Sequence, residues 1–423
     1  MQPGIVVLGA GHAGVRAAFS ARQSGYQGPI SIVAAEGIEG PYERPKLSKW
    51  DERGPTRSLL YNDAAYGEAN IELLSGRAIS LELDRNQLTL NAGPQIPFSR
   101  LLLATGASAR SFSLSGSETS NVRYLRSFSD AKELHSDCQD AESVAIIGAG
   151  LIGLELAATL RKEGVKVTVI ESESRPLKRA VAASVAQIIE RSHIENGVEF
   201  RFGARIDQVD TPGRIKLTDG NIVPADVVVA SIGSTPNTKI ADEAGLAVTG
   251  GIAVDRYLCT SHPDVYAAGD CCSFPLYGNT ETLTRLESWN AAGEQGDIAG
   301  WNMVNSDQRR ACDIVPYFWS KQYEHTIQVA GIANTTLTTV ERVFDSHTRI
   351  SIGLNSDGRL AYACGVGSGS TVSREIRFAM KLIAEKIQID EETLSRSDRS
   401  LRSIWKEFGA SPEGSVSNVH GLV

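Results

Sequence analysis

Residues 4–14, Gly-Ile-Val-Val-Leu-Gly-Ala-Gly-His-Ala-Gly, decide the fold of the first part of this chain. A short apolar run leads directly into the pattern Gly9-x-Gly11-x-x-Gly14, and an alanine-rich, helix-favouring segment follows. In the strand–loop–helix unit that binds dinucleotides, the first glycine allows the tight turn, the second lets the backbone approach a pyrophosphate, and the third lets helix and strand pack closely. The pyrophosphate lies at the positive end of the helix. The stretch therefore predicts a dinucleotide-binding unit.

An acidic residue stands where such a unit needs one. The apolar segment Ile30–Ala34 predicts the second strand, and Glu36 follows it, 22 residues after Gly14. In dinucleotide-binding folds, an acidic residue about 20 residues beyond the glycines hydrogen-bonds the ribose. Glu36 is therefore the predicted ribose ligand of this first unit.

The same pattern occurs a second time. Residues 143–153 read Ser-Val-Ala-Ile-Ile-Gly-Ala-Gly-Leu-Ile-Gly, and a helical segment and a strand that ends at Glu171 follow. The three glycine positions of this second unit are Gly148, Gly150 and Gly153. Two complete fingerprints are far more specific than one, because chance duplication of strand, glycines, helix, strand and acid is improbable. The sequence therefore predicts a protein that binds two dinucleotides.

The composition bounds the class of protein. The 423 residues favour two or three domains, and 42% apolar with 22% charged residues is ordinary for a globular protein. A formal net charge of −8 and a pI near 5.5 argue against a general nucleic-acid binder. No apolar run approaches the roughly 20 residues that span a membrane, and the first strand begins too early for a signal peptide. We therefore expect a cytoplasmic protein with no nucleic-acid or membrane partner.

The six cysteines are scattered and include no C-x-x-C or C-x-x-x-x-C pair. Scattered cysteines in a large protein favour reduced thiols over a disulfide framework. The adjacent pair Cys271–Cys272 could form a vicinal disulfide, but buried free thiols are the ordinary state. The cysteines are Cys138, Cys259, Cys271, Cys272, Cys312 and Cys364.

The remaining chain alternates strands, turns and helices. The segment Phe98–Gly106 predicts a buried strand that ends in a turn, and Glu287–Met303 predicts a helix. Beyond residue 316, an aromatic segment and strand-like runs precede two predicted helices, Ser373–Glu385 and Glu391–Ile404. This change in the sequence pattern indicates a separate C-terminal α+β domain.

Four short motifs beyond the glycine loops narrow the assignment. Ala-Thr-Gly at 104–106 and Ala-Gly-Asp at 268–270 each end a strand, and Asp270 could either cap a helix or accept hydrogen bonds from cofactor hydroxyls. The loop Pro41–Lys49 reads Pro-Tyr-Glu-Arg-Pro-Lys-Leu-Ser-Lys, and Tyr317–Tyr323 reads Tyr-Phe-Trp-Ser-Lys-Gln-Tyr. With these motifs the chain resembles the two-dinucleotide flavoprotein reductases of the glutathione reductase type. Within them it is similar to the FAD-dependent ferredoxin reductases of bacterial cytochrome P450 and Rieske-type oxygenase systems, the putidaredoxin reductase group.

The resemblance implies an α/β fold with two Rossmann-like dinucleotide-binding domains, for FAD and NAD, and a C-terminal α+β domain. We expect residues 1–115 and 247–318 to form a discontinuous FAD-binding domain and residues 116–246 to form the NAD-binding domain. Residues 319–423 would form the C-terminal domain, and the residues from Gly409 onward would be a loose tail.

The resemblance also implies a place for FAD. Asp270 would bind the ribityl chain, and Trp319, which could equally be a core aromatic, would lie beside the flavin ring. The implied FAD ligands, from the ADP half to the isoalloxazine ring, are Gly9, Gly11, Gly14, Glu36, Arg44, Lys49, Thr105, Gly106, Asp270 and Trp319. Further members of the implied cofactor-binding set are His12, Ala13, Arg126, Leu151, Ile152, Gly233, Gly269 and Trp289.

The second glycine loop would hold NAD. Glu155, two residues after the last glycine, would face the nicotinamide amide, although a carboxylate in a first helical turn is also a generic stabiliser. The implied NAD ligands are Gly148, Gly150, Gly153 and Glu171. Lys49, Glu155 and Trp319 form the implied catalytic set, and Lys49 would stabilise the anionic reduced flavin.

The chain departs from the family pattern at two positions. The family loop usually has two adjacent prolines after the arginine, whereas here Lys46 follows Pro45. The segment that begins at Glu287 usually carries asparagine four residues later, and here Ala291 takes that place. The first departure predicts a more basic and more mobile loop, and the second puts a flavin contact at residue 291 in doubt.

The end of the second fingerprint favours NADH over NADPH. Glu171 can accept two hydrogen bonds from the ribose hydroxyls and would repel a 2′-phosphate. Ser172 and Glu173 follow where NADPH enzymes often place arginines, while Arg175 and Lys178 lie nearby and could soften the preference.

The missing cysteine pair bears on mechanism. Disulfide reductases of this fold relay two electrons through a dithiol beside the flavin. The loop after Glu36 contains no cysteine, so it also lacks the single redox cysteine of thiol-dependent NADH peroxidases and oxidases. The resemblance then implies hydride transfer from NADH to FAD and direct electron exit from the flavin, which can release electrons singly. A [2Fe-2S] ferredoxin that feeds a terminal oxygenase is the expected partner, and docking to it would be transient and electrostatic.

An acidic ferredoxin would need a local basic patch on this acidic chain. The candidate patches, each of which could equally be a solvated face, are Arg309 with Arg310, and the series Arg396, Arg399, Arg402 and Lys406 at near-helical spacing. Two other enzymes on this scaffold remain open, a rubredoxin reductase and an NADH:oxygen oxidoreductase. A redox-sensing interaction protein similar to apoptosis-inducing factor is a third alternative, but that group carries a targeting segment and a basic surface.

Overall fold

The computed structural model describes residues 2–91, 93, 95–114, 119, 121–210, 213–279, 281–333 and 337–409. The tail expected beyond Gly409, and the domain boundary expected between residues 115 and 116, lie outside the described residues. The chain divides into two compact units. The first comprises Met1–Leu177 and Glu190–Phe318, and the second comprises Lys178–Ile189 and Trp319–Val423.

The secondary structure alternates in the way that the two fingerprints predict. The helices are α1 (His12–Gln23), α2 (Asp63–Glu68), α3 (Phe128–Gln139), α4 (Leu151–Lys162), α5 (Ala183–Glu195), α6 (Lys239–Glu243), α7 (Trp289–Val304), α8 (Thr371–Ala384), α9 (Glu391–Ser395) and α10 (Leu401–Phe408). The strands are β1 (Gly4–Leu8), β2 (Ile30–Ala34), β3 (Ile71–Ser75), β4 (Ala78–Glu82), β5 (Gln87–Leu90), β6 (Gln95–Leu103), β7 (Ala107–Ala109), β8 (Ser143–Ile147), β9 (Lys166–Ile170), β10 (Val198–Arg201), β11 (Ile206–Asp210), β12 (Gly213–Leu217), β13 (Ile222–Ala225), β14 (Val227–Ala230), β15 (Ser234–Pro236), β16 (Ile252–Ala253), β17 (Val265–Ala267), β18 (Cys272–Ser273), β19 (Tyr317–Gln322), β20 (His325–Gly331), β21 (Thr338–Val343), β22 (Arg349–Leu354) and β23 (Leu360–Gly367).

The first sheet has the strand order β3-β2-β1-β6-β5-β4, and β17 pairs with β6. Strand β1 runs parallel to both neighbours, with Val7 opposite Ile32 and Leu102. All five residues of β1 are buried, as expected for a parallel strand that is covered on both faces. The carboxyl ends of β1, β2, β6 and β17 therefore meet at one edge of the sheet. Glu36, Thr105 and the Gly269–Asp270 turn all follow this edge.

Helices α1 and α7 cross at unusually close range. A Cβ built at Gly296 would lie 2.3 Å from the backbone oxygen of Ala13, and one at Gly300 would lie 2.3 Å from that of Ala17. Only glycine permits this approach, because any side chain would collide with the facing backbone. The crossing brings the N-terminal half of α7 next to the first glycine loop.

The second sheet carries the second fingerprint. Its strand order is β10-β9-β8-β14, all parallel, and β8 lies between β9 and β14. A three-stranded antiparallel sheet, β11-β12-β13, packs a separate apolar cluster that includes Ile215 and Val223 against this region. Helix α4 begins at Leu151, directly after the second glycine loop, so the strand–loop–helix order of the first unit is repeated.

The second unit contains a five-stranded antiparallel sheet in the order β19-β20-β23-β22-β21, against which α8 packs. The expected single helix Glu391–Ile404 is wrong, because the chain leaves helical geometry between α9 and α10. The cause is the fully buried Arg342, whose guanidinium donates to the backbone oxygens of Leu394 and Arg399. Ser400 then caps α10, since its hydroxyl accepts the N–H of Ser403 at 3.2 Å.

All six cysteines are free and buried, which confirms the expected reduced thiols and leaves Cys271–Cys272 without a disulfide. Burial raises the pKa of the Cys138 thiol to about 12 and the pKa of the Cys259 and Cys364 thiols to about 11. Across the described residues, none of the helices combines the length and the apolar character that crossing a membrane requires.

Candidate active site

The first glycine loop has the geometry of a phosphate cradle. Gly9 has a φ of +119°, and a Cβ there would lie 2.1 Å from the Ala104 carbonyl oxygen. A Cβ at Gly14 would lie 2.0 Å from the Gly9 carbonyl oxygen, so helix and strand pack as the fingerprint requires. Gly11 caps α1 without a side chain, and a Cβ there would meet no atom within 4 Å. The first-turn N–H groups of α1 therefore face open space, where an anion is stabilised.

Glu36 lies at the end of β2 in a network of three side chains. One carboxylate oxygen accepts the Tyr42 hydroxyl at 2.5 Å, and the other lies 2.5 Å from the Arg44 guanidinium. Partial burial opposes ionisation, but Arg44 and Tyr42 outweigh it and lower the pKa of Glu36. Burial also raises the pKa of Tyr42 to about 12, so this hydroxyl stays a donor at neutral pH. Glu36 is thus held as a carboxylate, the form that accepts hydrogen bonds from a ribose.

Asp270 is paired with a cation rather than placed as a helix cap. Its carboxylate lies 2.8 Å from the Arg126 guanidinium, and the backbone oxygen of Arg126 in turn accepts Arg44 Nη1 at 2.6 Å. A Cβ at Gly106 would lie 3.7 Å from Arg126 Nη2. The structure thereby brings Arg44, Gly106, Arg126 and Asp270 together, residues that are far apart in sequence. Thr105 donates its hydroxyl to the backbone oxygen of Asn237 at 2.6 Å.

His12 and Trp289 form a stacked pair with ring centroids 4.0 Å apart, at the start of α1 and of α7. Burial, with a smaller contribution from Arg16, lowers the pKa of His12 to about 4. The imidazole is therefore neutral at physiological pH. Ala13 and Gly269 are also in contact distance at this point, because a Cβ at Gly269 would lie 3.0 Å from Ala13 Cβ.

Three polar atoms around this cradle are enclosed and lack a hydrogen-bond partner among the described residues. They are His12 Nδ1, Arg126 Nε and Gln295 Nε2. Native proteins pair nearly all buried polar groups with protein, water or ligand. Three such atoms beside a glycine cradle and an acidic ribose site fit a dinucleotide, which carries phosphate, hydroxyl and ring-nitrogen partners.

The second glycine loop repeats the first. Gly148 has a φ of +104°, and a Cβ at Gly153 would lie 2.4 Å from the Gly148 carbonyl oxygen. Gly150 caps α4 and faces open space, as Gly11 does in the first unit. Leu151 and Ile152 begin α4, and Ile152 is 46% exposed, an unusual exposure for a large apolar side chain next to a glycine loop. Gly233 lies between β14 and β15, and its carbonyl accepts the Arg110 N–H at the end of the antiparallel β7–β15 pair.

Glu171 also forms structural hydrogen bonds that the sequence did not predict. One of its oxygens accepts the N–H of Ala149 in the glycine loop at 2.7 Å, and the other accepts the N–H of Glu173 at 2.9 Å. The side chain therefore braces the loop to the strand end. An ionised carboxylate offers about four lone-pair positions, so these two bonds leave capacity for ribose hydroxyls.

Lys49 and Glu155 meet although 106 residues separate them in sequence. Lys49 Nζ lies 2.6 Å from Glu155 Oε2, and the Glu155 side chain is 8% exposed. Ser48 donates its hydroxyl to the same oxygen at 2.5 Å, and the Ser48 carbonyl accepts the Thr159 hydroxyl at 2.7 Å. Ser48 and Thr159 escaped the sequence analysis. The signal that could have indicated them was the i, i+4 spacing of Glu155 and Thr159 on α4, together with the polar Ser48–Lys49 pair that ends the loop.

The two departures from the family pattern have local partners. Lys46 lies 2.8 Å from Glu43 and donates to the Ser58 hydroxyl at 3.0 Å. Ala291 is buried in the first turn of α7, where its N–H donates to the Ser288 hydroxyl at 3.2 Å. Trp319 lies on β19 of the second unit and is 37% exposed.

The candidate docking cations differ in their surroundings. The Arg310 guanidinium lies over the Trp301 ring at 3.4 Å, and the Arg309 guanidinium lies over the Tyr257 ring at 4.3 Å, with Asp255 at 3.8 Å. The expected helical series from residue 396 to residue 406 is wrong, because α9 and α10 are separate helices. In that segment the guanidinium groups of Arg396 and Arg399 pair with Asp398 and Glu407 respectively.

Comparison with known proteins agrees with this architecture. Residues 3–296 match the model of the family described as pyridine nucleotide-disulphide oxidoreductase, and residues 317–405 match the reductase C-terminal family. The chain is 35% identical over 408 residues to the ferredoxin–NAD(+) reductase component of the anthranilate 1,2-dioxygenase system of Burkholderia cepacia, covering 94% of this chain and 98% of that protein. It is 36% identical over 337 residues to rubredoxin–NAD(+) reductase of Ectopseudomonas oleovorans, covering 77% and 86% respectively.

A solved structure is similar over almost the whole chain. The covalent putidaredoxin reductase–putidaredoxin complex matches with a TM-score of 0.87 and 29% identity, covering 97% of this chain and 100% of the matched chain. The predicted fold class, two dinucleotide-binding domains and a C-terminal α+β domain, is confirmed. The chain belongs to the pyridine nucleotide-disulphide oxidoreductase family.

Proposed function

We propose that this protein is an FAD-dependent NADH:ferredoxin oxidoreductase. It takes electrons from NADH and passes them one at a time to a [2Fe-2S] ferredoxin that feeds a cytochrome P450 or a Rieske-type oxygenase. We place it in the cytoplasm. The relatives named as ferredoxin–NAD(+) reductase components of oxygenase systems support this assignment, since each aligns over nearly its full length.

The observation that carries the proposal is the Lys49–Glu155 pair in a protein whose cysteines are all enclosed. A disulfide reductase needs an accessible thiol pair, whereas burial raises the pKa of the cysteine thiols here and keeps them protonated. The segment that follows Glu36 instead ends in Ser48 and Lys49, which both bind Glu155. With no sulfur relay, the acceptor must take electrons from the cofactor itself.

The residues of the first unit fit FAD. When bound, FAD accepts a hydride and can release its two electrons singly, which is the chemistry that a one-electron acceptor requires. Gly9, Gly11 and Gly14 would hold the pyrophosphate, Glu36 the ribose and Asp270 the ribityl hydroxyls. The remaining proposed contacts from this unit are those of His12, Ala13, Arg44, Lys49, Thr105, Gly106, Arg126, Gly269 and Trp289. Trp319, which belongs to the second compact unit, is a further proposed contact that the family resemblance implies.

The second fingerprint, from β8 to Glu171, would bind NADH. The glycine loop would face the pyrophosphate, and the charge of Glu171 would exclude a 2′-phosphate. Leu151, Ile152 and Gly233 would line the nucleotide, and Glu155 would accept the nicotinamide amide. Ser48 and Lys49 hold the Glu155 carboxylate in place and keep a positive charge beside it. The chain contributes positioning and electrostatics rather than an acid–base group.

We also retain the domain division as a proposal, with residues 1–115 and 247–318 for FAD, 116–246 for NAD and 319–423 as the C-terminal domain. A return to the proposed FAD-binding domain close to residue 247 is supported by Ala241 and Leu246, which already pack in the core of the first sheet.

Arg310 is the proposed docking cation, because it has no carboxylate within ion-pair distance among the described residues and is presented on the Trp301 ring. Arg310→Glu should weaken the apparent affinity for an acidic ferredoxin and reduce the dependence of turnover on salt. Unchanged ferredoxin kinetics at low salt would contradict this docking site.

A rubredoxin reductase remains the second candidate, because the relative of that name is as similar over its aligned length as the ferredoxin–NAD(+) reductase component. NADH:oxygen oxidoreduction is a further possibility on the same scaffold. All three candidate enzymes would use the same cofactor sites. Only the electron acceptor therefore distinguishes them.

The test is NADH-driven cytochrome c reduction by the purified flavoprotein, with a [2Fe-2S] ferredoxin, with a rubredoxin and with neither. Strong dependence on the ferredoxin, with NADPH a poor donor, supports the proposal. Equal or faster turnover with rubredoxin supports the second candidate. Rapid NADH loss with oxygen consumption and no added acceptor would replace both by an oxidase.

A further inference from the structure

Gln295 lies at the crossing of α7 with α1, and only 1% of it is exposed. Its Oε1 accepts the N–H of Gly269 at 2.7 Å and the thiol of Cys272 at 3.2 Å. A backbone N–H can only donate, so this contact identifies which end of the carboxamide is the oxygen. The amide nitrogen Nε2 therefore points away from Gly269, and it has no partner among the described residues.

The surroundings of this amide group are those of the proposed FAD site. A Cβ at Gly269 would lie 3.0 Å from Ala13 Cβ and 3.9 Å from Ala292 Cβ. A Cβ at Gly296, the next residue after Gln295, would lie 2.3 Å from the Ala13 backbone oxygen. The carboxamide thus lies between the first glycine loop and the Gly269–Asp270 turn. These two segments are the places where the pyrophosphate and the ribityl chain of FAD would bind.

We propose that Gln295 is an FAD ligand, with Oε1 holding the Gly269–Asp270 turn and Nε2 donating to an oxygen of FAD where the pyrophosphate meets the ribityl chain. The inference rests on the proposed function, because it requires FAD in the first unit. Burying an amide donor without an acceptor is costly, so an oxygen supplied by the cofactor accounts for an otherwise unexplained group. One side chain then couples the cofactor to the segment that carries Asp270.

The isosteric variant Gln295→Glu tests the donor directly. At pH 8 the introduced carboxylate can still accept the Gly269 N–H but can no longer donate, and it would repel a phosphate oxygen. When the pH falls to about 6, a buried carboxyl group protonates and becomes a donor again. We therefore expect Gln295→Glu to bind FAD at least about tenfold more weakly than the wild type at pH 8 and to recover most of this loss at pH 6. Gln295→Met, which removes both functions, should lose affinity at both pH values.

Asn302 supplies a matched control on the same helix. It is fully buried, and its amide nitrogen donates to the backbone oxygens of Tyr257 at 2.8 Å and Arg310 at 2.9 Å. Asn302→Asp makes the same amide-to-acid change two turns away, where the partners are already satisfied. It should lower thermal stability and leave the affinity for FAD within about twofold of the wild type.

The measurement is titration of apoprotein with FAD, followed by flavin fluorescence at pH 6, 7 and 8, with circular dichroism to confirm folding. Wild-type protein that binds no FAD would overturn the proposed function itself. If the wild type binds FAD, and Gln295→Glu and Gln295→Met bind it with the wild-type affinity at every pH, only this inference is overturned. A loss of FAD affinity in Asn302→Asp equal to that in Gln295→Glu would overturn it as well. If Gln295→Glu fails to fold, normal FAD affinity in Gln295→Met still contradicts the proposal.

Discussion

Lys49 Nζ lies 2.6 Å from Glu155 Oε2, and this ion pair joins the loop after the first fingerprint to the first helix of the second. The pair is asymmetric, because the Lys49 side chain is one-third exposed while that of Glu155 is almost fully buried. Ser48 donates to the same oxygen, so two donors from consecutive residues fix one carboxylate. The ion pair therefore connects the two dinucleotide-binding units. It holds the positive charge of Lys49 beside Glu155, the proposed contact of the nicotinamide.

Lys49→Met removes the positive charge beside the buried Glu155 carboxylate but keeps the hydrogen bond from the Ser48 hydroxyl. Glu155 would then position the nicotinamide less well, and NADH-dependent bleaching of the flavin should slow by about 10- to 100-fold, a rise of about 1.4–2.7 kcal/mol in the activation barrier. Rapid-mixing absorbance at the flavin band measures this rate. Lys46→Met is the control, since Lys46 pairs with Glu43 on the exposed side of the same loop. Equal rates in the two variants would show that the position of the charge is irrelevant.

Glu171→Gln should weaken the discrimination between NADH and NADPH. The variant keeps one oxygen to accept the Ala149 N–H, so the glycine loop stays braced, but it removes the charge that repels a 2′-phosphate. We expect the ratio of kcat/KM for NADH to that for NADPH to fall by about tenfold, or about 1.4 kcal/mol. Glu173→Gln, two residues further along the chain, is the charge-matched control. A preference that survives in Glu171→Gln and collapses in Glu173→Gln would reassign the selecting residue.

The native protein should be inert to thiol reagents. Burial raises the pKa of the cysteine thiols, to about 12 for Cys138 and about 11 for Cys259 and Cys364, so little thiolate exists at pH 8. A chromogenic disulfide reagent should therefore titrate fewer than one thiol per chain in the native protein and six after unfolding. Activity with ferredoxin should survive the treatment. Rapid loss of activity with modification of a single thiol would instead indicate a sulfur relay.

His12 should make stability fall as the medium becomes acidic. Its pKa is lowered from 6.5 to about 4 in the folded protein, mainly by burial, so the unfolded chain binds the extra proton first. The contribution is fully present above about pH 6.5 and is lost as the pH falls toward 4, by up to about 2–3 kcal/mol. Urea unfolding at pH 7, 6 and 5 should show a smaller decline for His12→Gln than for the wild type. An equal decline in the free energy of unfolding of both proteins would mean that groups other than His12 cause the loss of stability at low pH.

The local features of the two fingerprints could be predicted from the sequence because they depend on neighbouring residues. The glycine spacing, the apolar strands and the acidic residues Glu36 and Glu171 all lie within about 35 residues of one another in each unit. Steric limits on φ and on helix–strand distance act at this range, so the pattern alone indicates the strand–loop–helix unit and its duplication.

Only the tertiary structure decided which distant residues act together. Arg126 meets Asp270 across 144 residues of sequence, and Lys49, in the loop after β2, meets Glu155 on α4 across 106, because the fold packs segments that no local pattern relates. The same holds for the interruption between α9 and α10. Helical periodicity continues through that segment, but the buried Arg342 needs carbonyl partners, and the chain opens to supply them. Helix propensity depends on neighbouring residues. It therefore cannot predict an interruption that is caused by Arg342 on β21, more than 50 residues away.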